Sequence, residues 1–190
     1  MSHVHHKTYA DYLVCSNTYG DELINGTLHV REPPAPSPSH QWIAGELYHQ
    51  VATALVHKNC RVCIAPFDVR LPKADELDEQ IDTVVQPDVF IVCDPRKFDA
   101  RGMRGAPDWV AEVLSPSTAR RDQVLKLAVY ERARVPELWL VDPIRRSVAL
   151  YHLEAGRYGP PKIVELKGQL QLTAVAGVTI DWDQVVARIS

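Results

Sequence analysis

Two carboxylates stand inside apolar segments of the sequence, where an acid is unusual. Asp88 immediately precedes the apolar run 89–92, and Glu112 lies within the apolar run 109–114. Burial of a carboxylate without a partner is costly, and two buried carboxylates on neighbouring strands also repel each other. A hard divalent cation with oxygen ligands resolves both problems, and magnesium bound by one or two carboxylates is typical of phosphoryl-transfer sites. The pair therefore predicts a Mg²⁺ (or Mn²⁺) site.

A lysine follows Glu112 on a predicted helix. Asp122 and Lys126 are four residues apart and share a helix face. If this helix packs beside the strand that carries Glu112, the Lys126 ammonium can orient or help deprotonate an attacking water and neutralise charge on a phosphate. An ordinary surface ion pair between Asp122 and Lys126 is equally consistent with the spacing.

Hydrophobic periodicity and capping residues predict the elements that must position these groups. The predicted helices cover 9–14, 40–57, 119–133 and 182–189, with Thr8, Ser39 and Asp181 among the N-caps. A hairpin at 22–30 turns at Asn25-Gly26, and further strands cover 61–64, 67–71, 84–92, 109–114, 137–141, 148–153, 162–166 and 177–180. This order fits an α/β fold with a mixed central β-sheet flanked by helices. The strands at 109–114 and 137–141 should be parallel, because a helix connects them.

Length and composition fit one domain over residues 1–190. Its expected parts are an N-terminal helix and hairpin at 8–30, a core at 39–142, and C-terminal strands and a helix at 147–189. Hydrophobic residues make up 46% and charged residues 24%, without a membrane-length apolar run or a signal peptide, so a cytoplasmic protein is expected. The net charge of −3 lacks a large basic footprint, which weakens a nucleic-acid function without excluding it.

Two other features favour unremarkable interpretations. The pair Cys60 and Cys63 has C-x-x-C spacing, but the sequence has no second such pair for zinc. All four cysteines are therefore expected to be thiols in a reducing compartment. The acidic run at 75–82 is expected to be a solvated loop.

Several motifs together resemble the Uma2 family, also called DUF820, which is described as restriction-endonuclease-like. The central ones are Glu112-Val-Leu-Ser-Pro-Ser-Thr118, Asp122-x-x-x-Lys126-x-x-x-Tyr130 and Val135-Pro-Glu-Leu-Trp-Leu-Val-Asp-Pro143. Those before them are Thr8-Tyr-x-x-Tyr-Leu13, Glu22-Leu-Ile-Asn-Gly26, Ser37-Pro-Ser-His40 and Pro87-Asp-Val89. The resemblance spans nearly the whole chain. It implies a PD-(D/E)xK nuclease fold with Asp88 and Glu112 as metal ligands.

The sequence departs from the wider PD-(D/E)xK pattern at one position. Leu114 stands two residues after Glu112, where the pattern has a lysine. The resemblance implies that the lysine has moved to the following helix, at Lys126. The chemistry tolerates this move, because the position of the ammonium matters and not the element that carries it.

Further residues are candidates for supporting roles. The main-chain carbonyl of Val113 is an expected additional metal ligand, and Glu22 is either an outer ligand or a cross-strand partner. His40, at a helix start, either approaches a phosphate or caps the helix. The substrate-binding candidates are completed by Arg101, Arg104 and Arg120, of which Arg120 is also consistent with a solvated helix end.

Three functions remain open from the sequence. The first is a Mg²⁺-dependent endonuclease that hydrolyses phosphodiester bonds in DNA, with Asp88, Glu112 and Lys126 as catalytic residues. The second is a nuclease-fold binding or scaffold module that no longer cuts, which the acidic net charge and Leu114 favour. The third is an enzyme that acts on another phosphate ester, although no dinucleotide or P-loop motif supports it. A homodimer is compatible with each of them.

Overall fold

A computed structural model describes residues 6–16, 20–30, 36–115 and 121–189 of the chain, without the side chains of 121–123. Its α-helices are α1 (Tyr9–Cys15), α2 (Pro38–Ala54), α3 (Arg121–Ala133) and α4 (Trp182–Ala187). Its strands are β1 (Glu22–Ile24), β2 (Thr27–His29), β3 (Arg61–Ile64), β4 (Val69–Arg70), β5 (Val84–Val85), β6 (Val89–Val92), β7 (Phe98–Asp99), β8 (Gly102–Arg104), β9 (Trp109–Val113), β10 (Glu137–Asp142), β11 (Ser147–Glu154), β12 (Arg157–Tyr158), β13 (Lys162–Glu165), β14 (Gln169–Gln171) and β15 (Thr179–Asp181). Short 3₁₀ turns cover Asp78–Gln80 and Pro95–Lys97.

The main sheet has the strand order β12-β11-β10-β9-β6-β3, and β13 also pairs with β11. The neighbours β9 and β10 are parallel and are joined through α3, which confirms the predicted crossover. Strands β6 and β9 are antiparallel, with Val89 opposite Ala111. Because side chains alternate along a strand, β9 sends Trp109 and Ala111 to one face and Val110 and Glu112 to the other.

The two faces of the main sheet have different coverings. Helices α2 and α4 bury their apolar residues on the face where Trp139 packs against both Trp109 and Trp182. Helix α3 and a second sheet cover the opposite face. A fully buried large apolar side chain stabilises the fold by about 1.5–3 kcal/mol. Because Glu112 shares a strand face with Val110, which packs in this second cluster, it points into the layer between the main sheet and α3.

A second sheet has the order β2-β1-β5-β4-β8-β7. It includes the predicted hairpin, in which Asn25 and Gly26 take positive φ values of 50° and 76°. The predicted single strand at 84–92 is wrong, because β5 belongs to this second sheet and β6 to the main sheet. The break falls at 86–88, where Pro87 has no N–H for a ladder hydrogen bond. Asp88 thus lies at the crossing between the two sheets.

The start of α2 also differs from the prediction. Ser37, not Ser39, is the N-cap, and its Oγ accepts a hydrogen bond from the backbone N–H of His40 at 3.3 Å. Pro38 takes the first helical position, where a missing N–H has no consequence. His40 therefore lies in the first turn of the helix, and it is buried.

The prediction of four free thiols is wrong for two of them. Cys60 and Cys93 form a disulfide that links the ends of the paired strands β3 and β6. The C-x-x-C spacing drew attention to Cys60 and Cys63 as a pair. In the structure Cys60 directly precedes β3 and Cys63 lies within it. The strand register instead brings Cys60 opposite Cys93, and Cys63 stays free.

The acidic run at 75–82 was predicted to be a solvated loop, but its carboxylates Asp78 and Asp82 form ion pairs. The buried guanidinium of Arg70 forms ion pairs with Asp78 and Asp99 and donates to the carbonyl of Met103. Asp82 pairs with Lys73. These contacts fix the loop against the second sheet, because a buried arginine requires acceptors for its N–H groups.

No α-helix within 6–16, 20–30, 36–115 and 121–189 is long and apolar enough to cross a membrane. The assignment of residues 1–190 to one domain stays a prediction.

Gly102 is a position where the backbone itself requires glycine. Its φ is +117°, and a Cβ there would lie 2.3 Å from the carbonyl oxygen of Asp68. We expect Gly102→Ala to lower the free energy of unfolding by more than about 2 kcal/mol, measured by urea denaturation. Gly156→Ala is the matched control, because φ is +82° but the Cβ would meet no described atom within 4 Å. Equal losses in the two variants would contradict the close approach at Gly102.

Candidate active site

Asp88 is held by one hydrogen bond and by one close contact with a histidine at the break between β5 and β6. Its Oδ2 accepts the backbone N–H of Val113 at 2.7 Å and lies 3.1 Å from Nε2 of His40. Both contacts use the same carboxylate oxygen, and the side chain is only 15% exposed. The main chain of β9 and the first turn of α2 therefore fix the orientation of this carboxylate.

Glu112 projects from β9 toward α3. Its Oε1 accepts from Lys126 Nζ at 3.0 Å and from the Tyr130 hydroxyl at 2.5 Å. Lys126 and Tyr130 are one helical turn apart, so both reach the same strand residue. Tyr130 was not among the predicted site residues, although its spacing of four from Lys126 was a signal that it shares the same helix face.

Glu22, at the start of β1 in the second sheet, places a third carboxylate beside Lys126. Its Oε1 accepts the backbone N–H of Gln86 at 2.7 Å and lies 3.0 Å from Lys126 Nζ. The ammonium of Lys126 therefore bridges Glu22 and Glu112. We call Glu22, Asp88 and Glu112 the carboxylate cluster.

The charges of the cluster shift the pKa values of its members. Burial raises the pKa of Glu112; Lys126 opposes this shift, and Asp88 and Glu22 add to it. Burial alone would lower the pKa of Lys126, but the carboxylates of Glu112, Glu22 and Asp88 raise it. Lys126 is therefore a permanent cation and a poor proton acceptor. Burial also raises the pKa of Tyr130, so its hydroxyl stays a hydrogen-bond donor.

The donor set of the cluster fits a hard cation. Three carboxylates face one ammonium, which leaves an excess of negative charge when all are ionised. No group of three or more His, Cys, Asp or Glu side chains is arranged around a common metal position in the part of the chain that the structure describes. The Lys126 ammonium accounts for this, because it lies between Glu22 and Glu112. A cation here would rely on one or two carboxylates, a carbonyl and water, as magnesium does.

The Val113 carbonyl is placed to complete such a donor set. Leu114 donates its backbone N–H to the carbonyl of Val141 in β10. Because the N–H and C=O groups of successive residues in a strand point to opposite sides, those of Val113 point toward β6. Continuing the β6–β9 register from Val89 and Ala111 by two residues sets Pro87 opposite Val113. Proline has no N–H to offer this carbonyl. The residues present thus fit Mg²⁺ with Asp88, Glu112 and the Val113 carbonyl as protein ligands.

Two of the predicted arginines, Arg101 and Arg104, are not drawn into the cluster. Arg104 donates to the Asp78 carboxylate at 2.9 Å and to the Glu76 carbonyl at 2.6 Å, so its guanidinium is engaged in the acidic loop. Arg101 is exposed at the wall of a separate cleft. Arg120 lies outside the described residues. Their roles in substrate binding stay predictions.

The sequence profile of the Uma2 family, described as "Putative restriction endonuclease", matches residues 15–183. This chain belongs to the Uma2 family. The predicted family is thereby confirmed, and its description points to a nuclease.

A solved structure shares the fold of this Uma2 chain. It is described as a "putative nuclease belonging to DUF820" from Anabaena variabilis ATCC 29413, with a TM-score of 0.75 and 16% sequence identity. The similarity covers 96% of this chain and 99% of the other. At this identity the match shows the fold alone, and the predicted restriction-endonuclease-like α/β fold is confirmed. No curated protein matches the chain.

His40 emerges as a positioning residue for Asp88. We expect His40→Phe to weaken Mn²⁺ binding by about 10- to 100-fold, because the ligand carboxylate loses a donor that orients it. Isothermal titration measures the affinity. Thermal unfolding should change little, since Nδ1 of His40 is buried without a partner among the described residues and phenylalanine removes that deficit. His57→Phe, on an exposed histidine, is the control. Unchanged affinity in His40→Phe would refute the positioning role.

Proposed function

We propose that this chain is a Mg²⁺-dependent endonuclease that hydrolyses phosphodiester bonds in DNA. The observation that supports this most is the convergence of Asp88, Glu112 and Lys126 from three different elements. A buried lysine beside paired carboxylates is the constellation needed to bind a phosphate, a water and a cation together. Family membership supports the same reaction class.

Asp88 and Glu112 would hold the metal, with the Val113 carbonyl as a third protein ligand. When bound, Mg²⁺ would neutralise charge on the scissile phosphate and lower the pKa of bound water. Glu22 shares Lys126 with Glu112, so it acts as an outer carboxylate that positions the ammonium.

Lys126 would orient the attacking water and stabilise charge on the phosphate. Its raised pKa keeps the ammonium charged, so it donates hydrogen bonds and does not take the water's proton. The water oxygen forms a bond to phosphorus as the bond to the leaving oxygen breaks; the water releases one proton to solvent, and the leaving oxygen takes up one proton from solvent. Preorganised charge of this kind contributes about 10²–10³-fold in rate.

A non-catalytic binding or scaffold module is the second candidate. The observation that favours it is the Lys126 ammonium, which already compensates Glu22 and Glu112 without a metal. Such a satisfied arrangement is stable in itself. On this account Mn²⁺ would not bind even with Asp88 and Glu112 intact, and no DNA would be cut. A homodimer stays a prediction under both candidates.

Plasmid cleavage tests the nuclease proposal. We expect purified protein to nick supercoiled plasmid in Mg²⁺ or Mn²⁺. Asp88→Asn should abolish nicking because a metal ligand is lost, and Lys126→Met should reduce it by about 100-fold or more because the oriented ammonium is lost. Chelation of the metal should stop the reaction.

The controls separate chemistry from folding. Arg96→Ala changes an exposed arginine whose carboxylate partner is Asp94, and it should cut at the wild-type rate. Circular dichroism must show that Asp88→Asn and Lys126→Met are folded. Nicking that survives both substitutions would contradict the assignment of the site.

A further inference from the structure

A second feature adjoins the carboxylate cluster and has no role in the proposed hydrolysis. It is an open cleft of about 560 Å³, whose wall includes Tyr12, Phe67, Asp68, Gln86 and Arg101. This volume is within the range of small-molecule sites, and it suits a nucleotide-sized ligand. We call this feature the Asp68 cleft.

The Asp68 cleft is connected to the cluster through Gln86. The backbone N–H of Gln86 donates to the Glu22 carboxylate at 2.7 Å, while its side-chain amide donates to Asp68 at 2.8 Å. One residue, Pro87, separates Gln86 from Asp88, so their Cα atoms are about 7 Å apart along an extended chain. A ligand in the cleft would therefore lie next to a phosphate held at the cluster.

Asp68 and Gln86 supply acceptor oxygens on the wall of the cleft. Oδ1 of Asp68 accepts from the Tyr12 hydroxyl at 3.0 Å and from Nε2 of Gln86 at 2.8 Å. Because the carboxylate requires the NH₂ end of the amide, Oε1 of Gln86 is directed elsewhere. That oxygen is buried and has no hydrogen-bond partner in the described part of the chain.

The apolar and cationic groups of the cleft suit the rest of a nucleotide. The half-buried ring of Phe67 packs edge-on against Phe90 and Phe98, which holds it in place at the wall. Rigid aromatic rings of this kind stack unpaired bases. The exposed Arg101 supplies a cation on the same wall for the phosphate backbone.

We propose that the Asp68 cleft binds an unstacked nucleobase that carries an exocyclic amino group, cytosine or adenine, beside the scissile phosphate. This inference rests on the proposed nuclease function and names part of its substrate preference. Carboxylates accept from the amino group of cytosine, and glutamine oxygens accept from that of adenine. Thymine presents a carbonyl at the equivalent position, which would face the acceptors of Asp68 and Gln86.

Binding to single-stranded homopolymers tests the inference without any cleavage. Fluorescence anisotropy with labelled (dC)₁₂ and (dT)₁₂ in EDTA compares two pyrimidines that differ at C4, an amino group in cytosine and a carbonyl in thymine, and at C5, where thymine carries a methyl group. We expect the wild-type protein to bind (dC)₁₂ about fivefold or more tightly than (dT)₁₂. Asp68→Asn, whose amide oxygen still accepts from Tyr12 and Gln86, should bring this ratio close to one.

Two further variants keep the outcome interpretable. Arg101→Ala should weaken both homopolymers alike and reduce the salt slope of binding by about one, while Arg96→Ala should change neither. Equal or undetectable binding of the two homopolymers by the wild type would overturn the inference, as would a preference that survives Asp68→Asn. A preserved (dC)₁₂ preference in a protein that fails to nick plasmid would instead count against the nuclease proposal alone.

Discussion

The buried ammonium of Lys126 lies 3.0 Å from a carboxylate oxygen of Glu22 and 3.0 Å from one of Glu112. Glu22 belongs to the second sheet, Glu112 to the main sheet and Lys126 to α3. Removal of one partner from a buried ion pair typically destabilises a protein by about 3–5 kcal/mol, because the remaining charge is left uncompensated. This contact therefore makes the docking of three elements depend on the same groups that form the candidate site. Changes that alter the chemistry here will also tend to alter stability.

The break at 86–88 gives the site its geometry. If the chain continued as one strand, Asp88 would be an interior residue of a single sheet. Instead Pro87 ends the ladder, Gln86 donates its N–H to Glu22, and Asp88 turns its carboxylate to Val113 and His40. One short segment thus joins the second sheet, the main sheet and α2. Gln86 of the same segment also lines the Asp68 cleft, which explains why a candidate ligand site lies beside the carboxylate cluster.

Much of this arrangement could be predicted from the sequence, because it depends on local patterns. The hairpin at Asn25-Gly26 and the parallel pair β9–β10 follow from turn chemistry and from a helix between two apolar runs. Acids inside apolar runs identified Asp88 and Glu112, and the spacing to Lys126 identified the ammonium.

Other features depend on long-range contacts that no local pattern carries. The contact of His40 with Asp88 joins residues 48 apart in the sequence. The disulfide between Cys60 and Cys93 follows from the register of β3 against β6. Arg104 looked available for phosphate, but the fold places Asp78 beside it. In each of these cases tertiary packing, and not the local sequence, determines which residues contact each other.

A crystal structure of the protein soaked in Mn²⁺ tests the central claim most directly. The account predicts one anomalous peak within coordination distance of the Asp88 and Glu112 carboxylates and the Val113 carbonyl, with Lys126 beside it. Soaked crystals with ordered carboxylates and no such peak, or with a peak only at other acidic residues, would contradict the account.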